Sequence, residues 1–134
     1  MAAQFNKGAI ALIERPVLGN LATVGSDGHP HVTPVWIDHD GDDVIFNTAE
    51  GRVKAKDVHR NPKVAMSIVA PEDPYLVVAF QGTVVDITTD GADAHIDALA
   101  KKYLGLDEYP LRTDGEVRIK VRIRPDRVVT QPAQ

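Results

Sequence analysis

From Val117 to Arg124 the chain alternates without a break: Val117, Ile119, Val121 and Ile123 are apolar, and Arg118, Lys120, Arg122 and Arg124 between them are basic. A period of two puts each set on its own face of an extended chain, so this segment is predicted as a strand with one buried face. A strand needs neighbours, and the sequence supplies them at short intervals upstream. Leu18 to Val24 is a short apolar run, Gly25-Ser26-Asp27-Gly28 carries turn chemistry, and His29 to Asp38 is a second extended run, which together read as a hairpin. Asp40-Gly41-Asp42 turns the chain into Val44-Ile45-Phe46, a strand ending near Thr48. Val64 to Ala70 and a long run from Tyr75 to Ile87 complete a set of six strands. Gly82 inside the long run marks a bulge or bend of the kind that curls a sheet into a barrel.

Three short helices fit between these runs. Phe5, Ala9, Leu12 and Ile13 recur at helical spacing ahead of Pro16, which predicts a short amphipathic helix acting as a lid. Arg52 to Arg60 reads as a second helix, ended by Asn61-Pro62 because the residue before proline avoids helical geometry. Ala92, Ile96, Leu99 and Tyr103 hold the 3.6 period of a third, with Thr89 or Asp90 as its cap, Lys101 and Lys102 in its last turn and Gly105 beyond. Strands with tight turns outweigh these helices. The predicted class is therefore mainly β, a six-stranded antiparallel barrel with helical decoration, and not a βαβ fold.

At 134 residues the chain suits one domain, 1–134, with a core that needs no metal or disulfide staple. It has no cysteine, which removes disulfides, thiolate metal sites and cysteine nucleophiles. No apolar run approaches the roughly 20 residues of a bilayer span, and Met1 to Arg15 lacks the pattern of a secretory signal, so the cytoplasm is the expected compartment and no membrane partner is expected. A net charge of −4 argues against nucleic acid as the partner.

Against that acidic background Arg52, Lys54, Lys56 and Arg60 crowd into nine residues holding one acid, Asp57. Cations at the start of a helix oppose its dipole, each costing about 0.3 to 1 kcal/mol at a surface. The arrangement is explained when an anion completes it, with backbone N–H groups and basic side chains forming a phosphate site. Asn47, Thr48 and Ala49 bring small and hydroxyl groups to the same point, and Gly51 lets the chain approach the anion closely. The plainer alternative is a solvated helix whose cations lie near acids of the same chain. Walker and Rossmann glycine patterns are absent.

Gly28-His29-Pro30-His31-Val32-Thr33-Pro34-Val35-Trp36, Ile45-Phe46-Asn47-Thr48, Gly51-Arg52-Val53-Lys54-Ala55-Lys56 and Asn61-Pro62 resemble the pyridoxamine 5'-phosphate oxidase-like split-barrel superfamily. Tyr75 to Val85 and Val121 to Val128 extend the resemblance over nearly the whole chain, and it is closest to the F-420-dependent oxidoreductases of actinobacteria. It implies a split β-barrel of the FMN-binding type, a homodimer with cofactor at the subunit interface, and hydride transfer between the deazaflavin coenzyme F-420 and a small conjugated acceptor, with FMN as the alternative cofactor. A non-enzymatic flavin or haem carrier is a further alternative on the same fold. By the resemblance, Arg52, Lys54 and Lys56 hold the cofactor phosphate and Thr33, Pro34, Val35 and Trp36 line the ring system. Gln81 and Gly82 are weaker candidates, contributed by the partner subunit.

Such chemistry needs no side-chain nucleophile, and the sequence offers no serine-histidine-acid set and no carboxylate pair, so no catalytic residue is assigned. Trp36 either stacks on the ring or anchors the core. His29 and His31 share a strand face as a metal pair would, but no third ligand accompanies them, which favours a solvated hairpin edge and no metal. His95 reads as structural. Tyr75, Tyr103 and Tyr109 can each supply a proton to a reduced substrate, and the sequence does not select among them. The basic stripe Arg118, Lys120, Arg122 and Arg124 suits an anionic cofactor tail, although cross-strand acids are the favoured partners.

Overall fold

In the computed structural model, which describes residues 3–131, the chain forms helices α1 (Lys7–Glu14), α2 (Val53–Arg60) and α3 (Ala92–Leu104). The strands are β1 (Gly19–Val24), β2 (Pro30–Val35), β3 (Ile37–Asp40), β4 (Asp43–Ala49), β5 (Lys63–Ala70), β6 (Asp73–Thr88) and β7 (Arg118–Gln131). All seven lie in one antiparallel sheet in the order β2-β1-β5-β6-β7-β4-β3. The class is mainly β, as predicted, with one strand more than the six expected.

The extra strand arises at Trp36. The run His29 to Asp38 was expected to be one strand, because apolar character continues through Val35-Trp36-Ile37. Instead the chain breaks there: β2 pairs with β1, and β3 pairs with β4. These halves are the two ends of the strand order, yet one residue joins them. Cα atoms two residues apart cannot lie more than about 7 Å from each other, so the sheet has to curl until its edges meet at Trp36. The split barrel follows from that single link.

The curl is helped at Gly82, where the β6–β7 register shifts between Gln81 and Gly82, as the strand glycine predicted. A Cβ at this position would stand 2.6 Å from Ile123 Cγ2 and 2.9 Å from the Arg124 carbonyl oxygen. Glycine is needed here for close packing of one strand on the next. β7 also runs further than its alternating segment, through Pro125 to Gln131, and leaves Val117 outside the strand and half exposed.

Ile119, Val121 and Ile123 form the buried face of β7, together with Phe46, Leu21, Ile68 and Val78 from the other strands. α1 is not the lid its sequence suggested. Leu12 and Ile13 are fully buried in the same core, so the helix plugs the curled sheet. Asn6 caps it, its Oδ1 accepting from the Ala9 N–H at 2.8 Å. The N-cap of α3 falls one residue beyond the expected Thr89 or Asp90, at Gly91 with φ 71°, and no side chain caps the helix. Lys102, expected to serve the carbonyl end of α3, crosses over and donates to the Ile13 and Ile37 carbonyls at 2.8 and 2.6 Å.

Candidate functional site

The carbonyl end of β4 leads through Gly51, held at φ 92°, into α2. Nothing lies within 4 Å of a Cβ built at Gly51, so the positive φ alone calls for glycine. Arg52 is the N-cap of α2, and it makes no side-chain capping bond; no acid occupies the first turn. The N–H groups of that turn point outward without a protein acceptor from the cap. Beside them opens a cleft of about 320 Å3, lined at this end by Asn47, Thr48, Arg52, Lys54 and Arg118.

Two features mark this end as incomplete. Thr48 is only 2% exposed, and among the described residues its Oγ1 has no hydrogen-bond partner. A buried hydroxyl left unpaired costs about 1 to 3 kcal/mol. Lys54 has its ammonium pKa held below the ordinary lysine value by partial burial first, and then by the neighbouring charges of Arg52 and Arg118. An oxyanion bound here satisfies the hydroxyl, the helix amides and the cations together.

The cationic cluster of the sequence does not act as a unit. Residues two apart on a helix point about 200° away from each other. Lys54 therefore faces the cleft, while Lys56 is exposed and does not line it. Arg60 donates to Asp57 Oδ1 at 2.9 Å and to the Val24 carbonyl at 2.8 Å. The third cation of the cleft is Arg118, from β7, which sequence reasoning placed in a solvent-facing stripe. Arg118 is buried, its Nη1 bonded to Glu116 at 2.6 Å and its Nε donating to Asn47 Oδ1 at 2.8 Å. Burial works against charge on Glu116, yet bonds from Arg118 and Thr113 hold its carboxyl below the usual range. The signal for the burial of Arg118 in the sequence was the acid two residues earlier, Glu116, just ahead of the strand. Arg122 and Arg124 of the stripe have the cross-strand acids favoured above: Arg122 pairs with Asp40 and Asp43, each at 3.0 Å, and Arg124 approaches Asp43 at 3.5 Å.

Asn47 is locked by its neighbours. Since its Oδ1 accepts from Arg118, its Nδ2 donates to the Ala92 carbonyl at 2.9 Å and faces His95 Nδ1 at 3.0 Å. His95 then carries its proton on Nε2, directed at Asp38 Oδ2 at 3.0 Å. This gives the structural reading of His95 a definite content: it ties β3 and β4 to α3.

The far end of the cleft is apolar and aromatic, lined by Pro34, Val35, Trp36, Ile96, Leu99, Leu104, Tyr109 and Leu111. Trp36 stacks on Tyr103 with ring centroids 5.1 Å apart and meets the edge of Tyr109 at 6.0 Å, so it is both a core anchor and a cleft wall. The three tyrosines now separate. Tyr103 Oη accepts from the Ile37 N–H at 3.0 Å and donates to the Val17 carbonyl at 2.5 Å. Tyr75 is exposed at the start of β6, away from the cleft. Tyr109 lines the cleft beneath Arg118, whose guanidinium lies 5.2 Å from the ring centre, and among the described residues its hydroxyl has no hydrogen-bond partner.

Of the remaining predicted residues, Thr33 lies on β2 and Ala49 is buried at the end of β4, neither lining the cleft. Gln81 and Gly82 line a separate groove, with Ala22 and Ala65. His31 is not simply solvated: its Nδ1 meets Asp57 Oδ2 at 2.7 Å, while His29 lies 3.4 Å from Asp27.

The model of the pyridoxamine 5'-phosphate oxidase family matches residues 6–131. Among solved structures, an F420 reductase superposes with a TM-score of 0.83 at 32% sequence identity, over 95% of this chain and 100% of that one. A conserved hypothetical protein of Mycobacterium tuberculosis superposes with a TM-score of 0.70 at 21% identity, over 95% of this chain and 84% of that one. A candidate pyridoxamine 5'-phosphate oxidase of Listeria innocua gives 0.69 at 19% identity, over 92% and 95%. The latter two share the fold. No curated protein matches the chain.

Proposed function

The chain belongs to the pyridoxamine 5'-phosphate oxidase family, and from that premise we propose that it is an oxidoreductase that binds coenzyme F-420 and serves hydride transfer to a small conjugated acceptor. The observation that carries this reading is the unsatisfied end of the cleft: an uncapped helix start, Arg52 and Lys54 without an acid, and the buried, unpartnered Thr48 Oγ1. These groups fit the phosphate of a flavin-type cofactor. The similarity to an F420 reductase over 95% of this chain and the whole of that one favours the deazaflavin.

When bound, the reduced cofactor supplies the hydride. The protein's own residues bind and orient. Arg52, Lys54 and the first-turn amides of α2 would hold the phosphate, with Thr48 Oγ1 as a further donor. Asn47, fixed by Arg118 and His95, keeps the floor of the cleft rigid. Pro34, Val35 and Trp36 wall the ring system and exclude water, and Thr33 sets the strand that carries them. Lys56, on the outer face of α2, can reach only a part of the ligand that projects into solvent.

In this reading the domain, 1–134, works as a homodimer with cofactor at the interface. The groove that holds Gln81 is continuous with an apolar one lined by Val32, Phe80 and Val129, of which Val32 and Val129 are exposed. Gln81 and Gly82, which cannot share the cleft of their own chain, then belong to the partner's site. Light scattering checks this; a monomer at all concentrations removes the shared site. Among the described residues no helix is long and apolar enough to cross a membrane, and the acceptor is taken to be a small molecule.

FMN is the second reading, and one observation favours it. Arg122 and Arg124, which suited an anionic cofactor tail, are already engaged by Asp40 and Asp43. Titration with F-420 and with FMN, followed through quenching of Trp36, separates the two. Saturable binding of FMN alone moves the assignment to FMN, and binding of neither removes the oxidoreductase reading. Lys54→Ala is expected to weaken the bound cofactor by about 1.5 to 3 kcal/mol, the loss of one charge-assisted bond.

A further inference from the structure

Behind the anion end of the cleft one chain of side-chain hydrogen bonds runs from β7 to β3. Arg118 Nη1 donates to Glu116 at 2.6 Å, and Arg118 Nε donates to Asn47 Oδ1 at 2.8 Å. Asn47 Nδ2 faces His95 Nδ1 at 3.0 Å, and His95 Nε2 faces Asp38 Oδ2 at 3.0 Å. Asn47 and Arg118 line the cleft, and the charge of Arg118 is felt at Lys54. His95 does not line it; its side chain is 9% exposed.

The direction of every bond in this chain depends on one lone pair. Arg118 can only donate, so Asn47 presents Oδ1 to it and Nδ2 to His95, and His95 must keep Nδ1 free of a proton. A proton there sets two donors against each other at 3.0 Å. Turning the amide over does not repair this, because Nδ2 then points at the Arg118 N–H and Oδ1 at the Ala92 carbonyl. Either way Arg118 loses its bond to Asn47. On the other side of the ring Asp38 Oδ1 is buried and, among the described residues, has no hydrogen-bond partner, so the carboxylate has capacity to hold an imidazolium. The other charged groups on the elements around the ring are already committed or lie beyond Asn47. Lys102 of α3 feels Asp38 and Glu14 but donates to the Ile13 and Ile37 carbonyls. Asp93 and Asp97 of α3 pair with Arg112, and Lys120 of β7 stands opposite Asn47 in the strand register.

We propose that His95 is a positioning residue that makes the anion end of the cleft sensitive to pH. Neutral, it aims the Asn47 amide so that Arg118 is held in place; with a second proton, taken from solvent on Nδ1, it releases Arg118 and weakens the grip on a bound anion. The proposal rests on the cofactor reading above and adds a regulation to that site. The charge gained by the ring attracts an anion, but from outside the cleft and against the Asp38 carboxylate. The bonds lost lie in the cleft wall itself, and their loss sets the sign.

Nuclear magnetic resonance on the ligand-free full chain tests the link without any cofactor. As pH falls from about 8 to 5, the range in which histidine changes charge, the Arg118 Nε–H and Asn47 Nδ2 signals are expected to shift with the same midpoint as the His95 ring. Signals of Arg118 and Asn47 that stay still while His95 titrates overturn the proposal, and so does a ring that takes no second proton before the protein unfolds. Affinity for FMN and F-420, read through quenching of Trp36, should fall by about tenfold over the same range. His95→Gln separates this fall from titration of the ligand's own phosphate. Glutamine offers a carbonyl to Asn47 and an N–H to Asp38 but takes up no proton. It should restore most of the neutral-pH affinity that His95→Leu loses and show no fall beyond the ligand's own. A fall in His95→Gln equal to that of the natural protein, or binding that tightens in the natural protein at low pH, overturns the proposal. Failure of both ligands to bind at every pH, with the three signals still moving together, overturns the cofactor reading alone; inorganic phosphate, followed through the same signals, then takes their place as the anion.

Discussion

The two halves of α2 treat charge in opposite ways. In its second half Asp57 is buried, and everything it needs comes from its own chain: Thr23 Oγ1 at 2.7 Å, His31 Nδ1 at 2.7 Å and Arg60 at 2.9 Å. Burial opposes the charge, but these three bonds outweigh it and hold the carboxyl below its usual range. In the first half Arg52 and Lys54 stand at a helix start with no acid, no cap and an unpartnered hydroxyl behind them. Nine residues, the N-cap Arg52 and α2, thus hold one complete charge cluster and one open one. The complete cluster fastens the helix to the β1–β2 hairpin; the open one is where a ligand has something to contribute.

The largest effect expected from breaking this contrast is on the complete side. Asp57→Ala leaves Thr23, His31 and Arg60 without their shared acceptor. His31 and Arg60 are partly exposed and can turn to water, so the loss is set at about 1.5 to 3 kcal/mol, the range for hydrogen bonds to a charged group. Thermal or urea unfolding measures it. The pH dependence has a definite sign: a carboxyl whose folded pKa is depressed stabilises above its unfolded value, near about 3.9, and the contribution disappears as pH falls through the folded value. Asp57→Asn should therefore flatten the acid limb of the stability profile. An unchanged acid limb sinks the assignment of Asp57 as the anchor.

An intermediate effect is expected at Thr48, where the two readouts part company. Thr48→Val keeps the shape and removes the unpartnered hydroxyl, so the ligand-free protein should gain up to about 1 kcal/mol. Phosphate and FMN should bind less tightly to the same variant. A loss of stability would mean that the hydroxyl already has a partner in the folded chain, and the open end of α2 would then be less open than it looks.

The strand periodicities, the Gly82 bulge and the gathering of cations at residues 52–60 are local patterns, and each survives in the structure. The division of labour among those cations is not local. It depends on the helix turning 100° per residue, which sends Lys56 away from Lys54, and on Asp57 meeting a hairpin more than twenty residues upstream. Arg118 looked like one more residue of a basic stripe until the β4–β7 register set it beside Asn47. The break at Trp36 was hidden for a related reason: apolar character runs straight through it, and only the pairing of β2 with β1 and of β3 with β4 reveals that the chain changes edges there.

The smallest effect is the most discriminating. A lysine whose folded pKa is lowered binds its proton less readily than the unfolded chain does, so its charge costs stability below the folded value, and the cost fades as pH rises toward about 10.4. Lys54 is in that position, through partial burial and the charges of Arg52 and Arg118. Lys54→Met keeps most of the side-chain volume and removes the charge from the helix start. The ligand-free variant should be as stable as the natural protein or more stable, by about 0.3 to 1 kcal/mol, and its stability should no longer rise between neutral and alkaline pH. Added phosphate reverses the order, because the natural protein is stabilised by binding and the variant is not. Two unfolding curves, with and without phosphate, therefore decide whether the first turn of α2 differs in kind from the second. If Lys54→Met destabilises the ligand-free protein as much as Asp57→Ala does, both ends of the helix are held by their own chain and the cleft has lost its reason to take an anion.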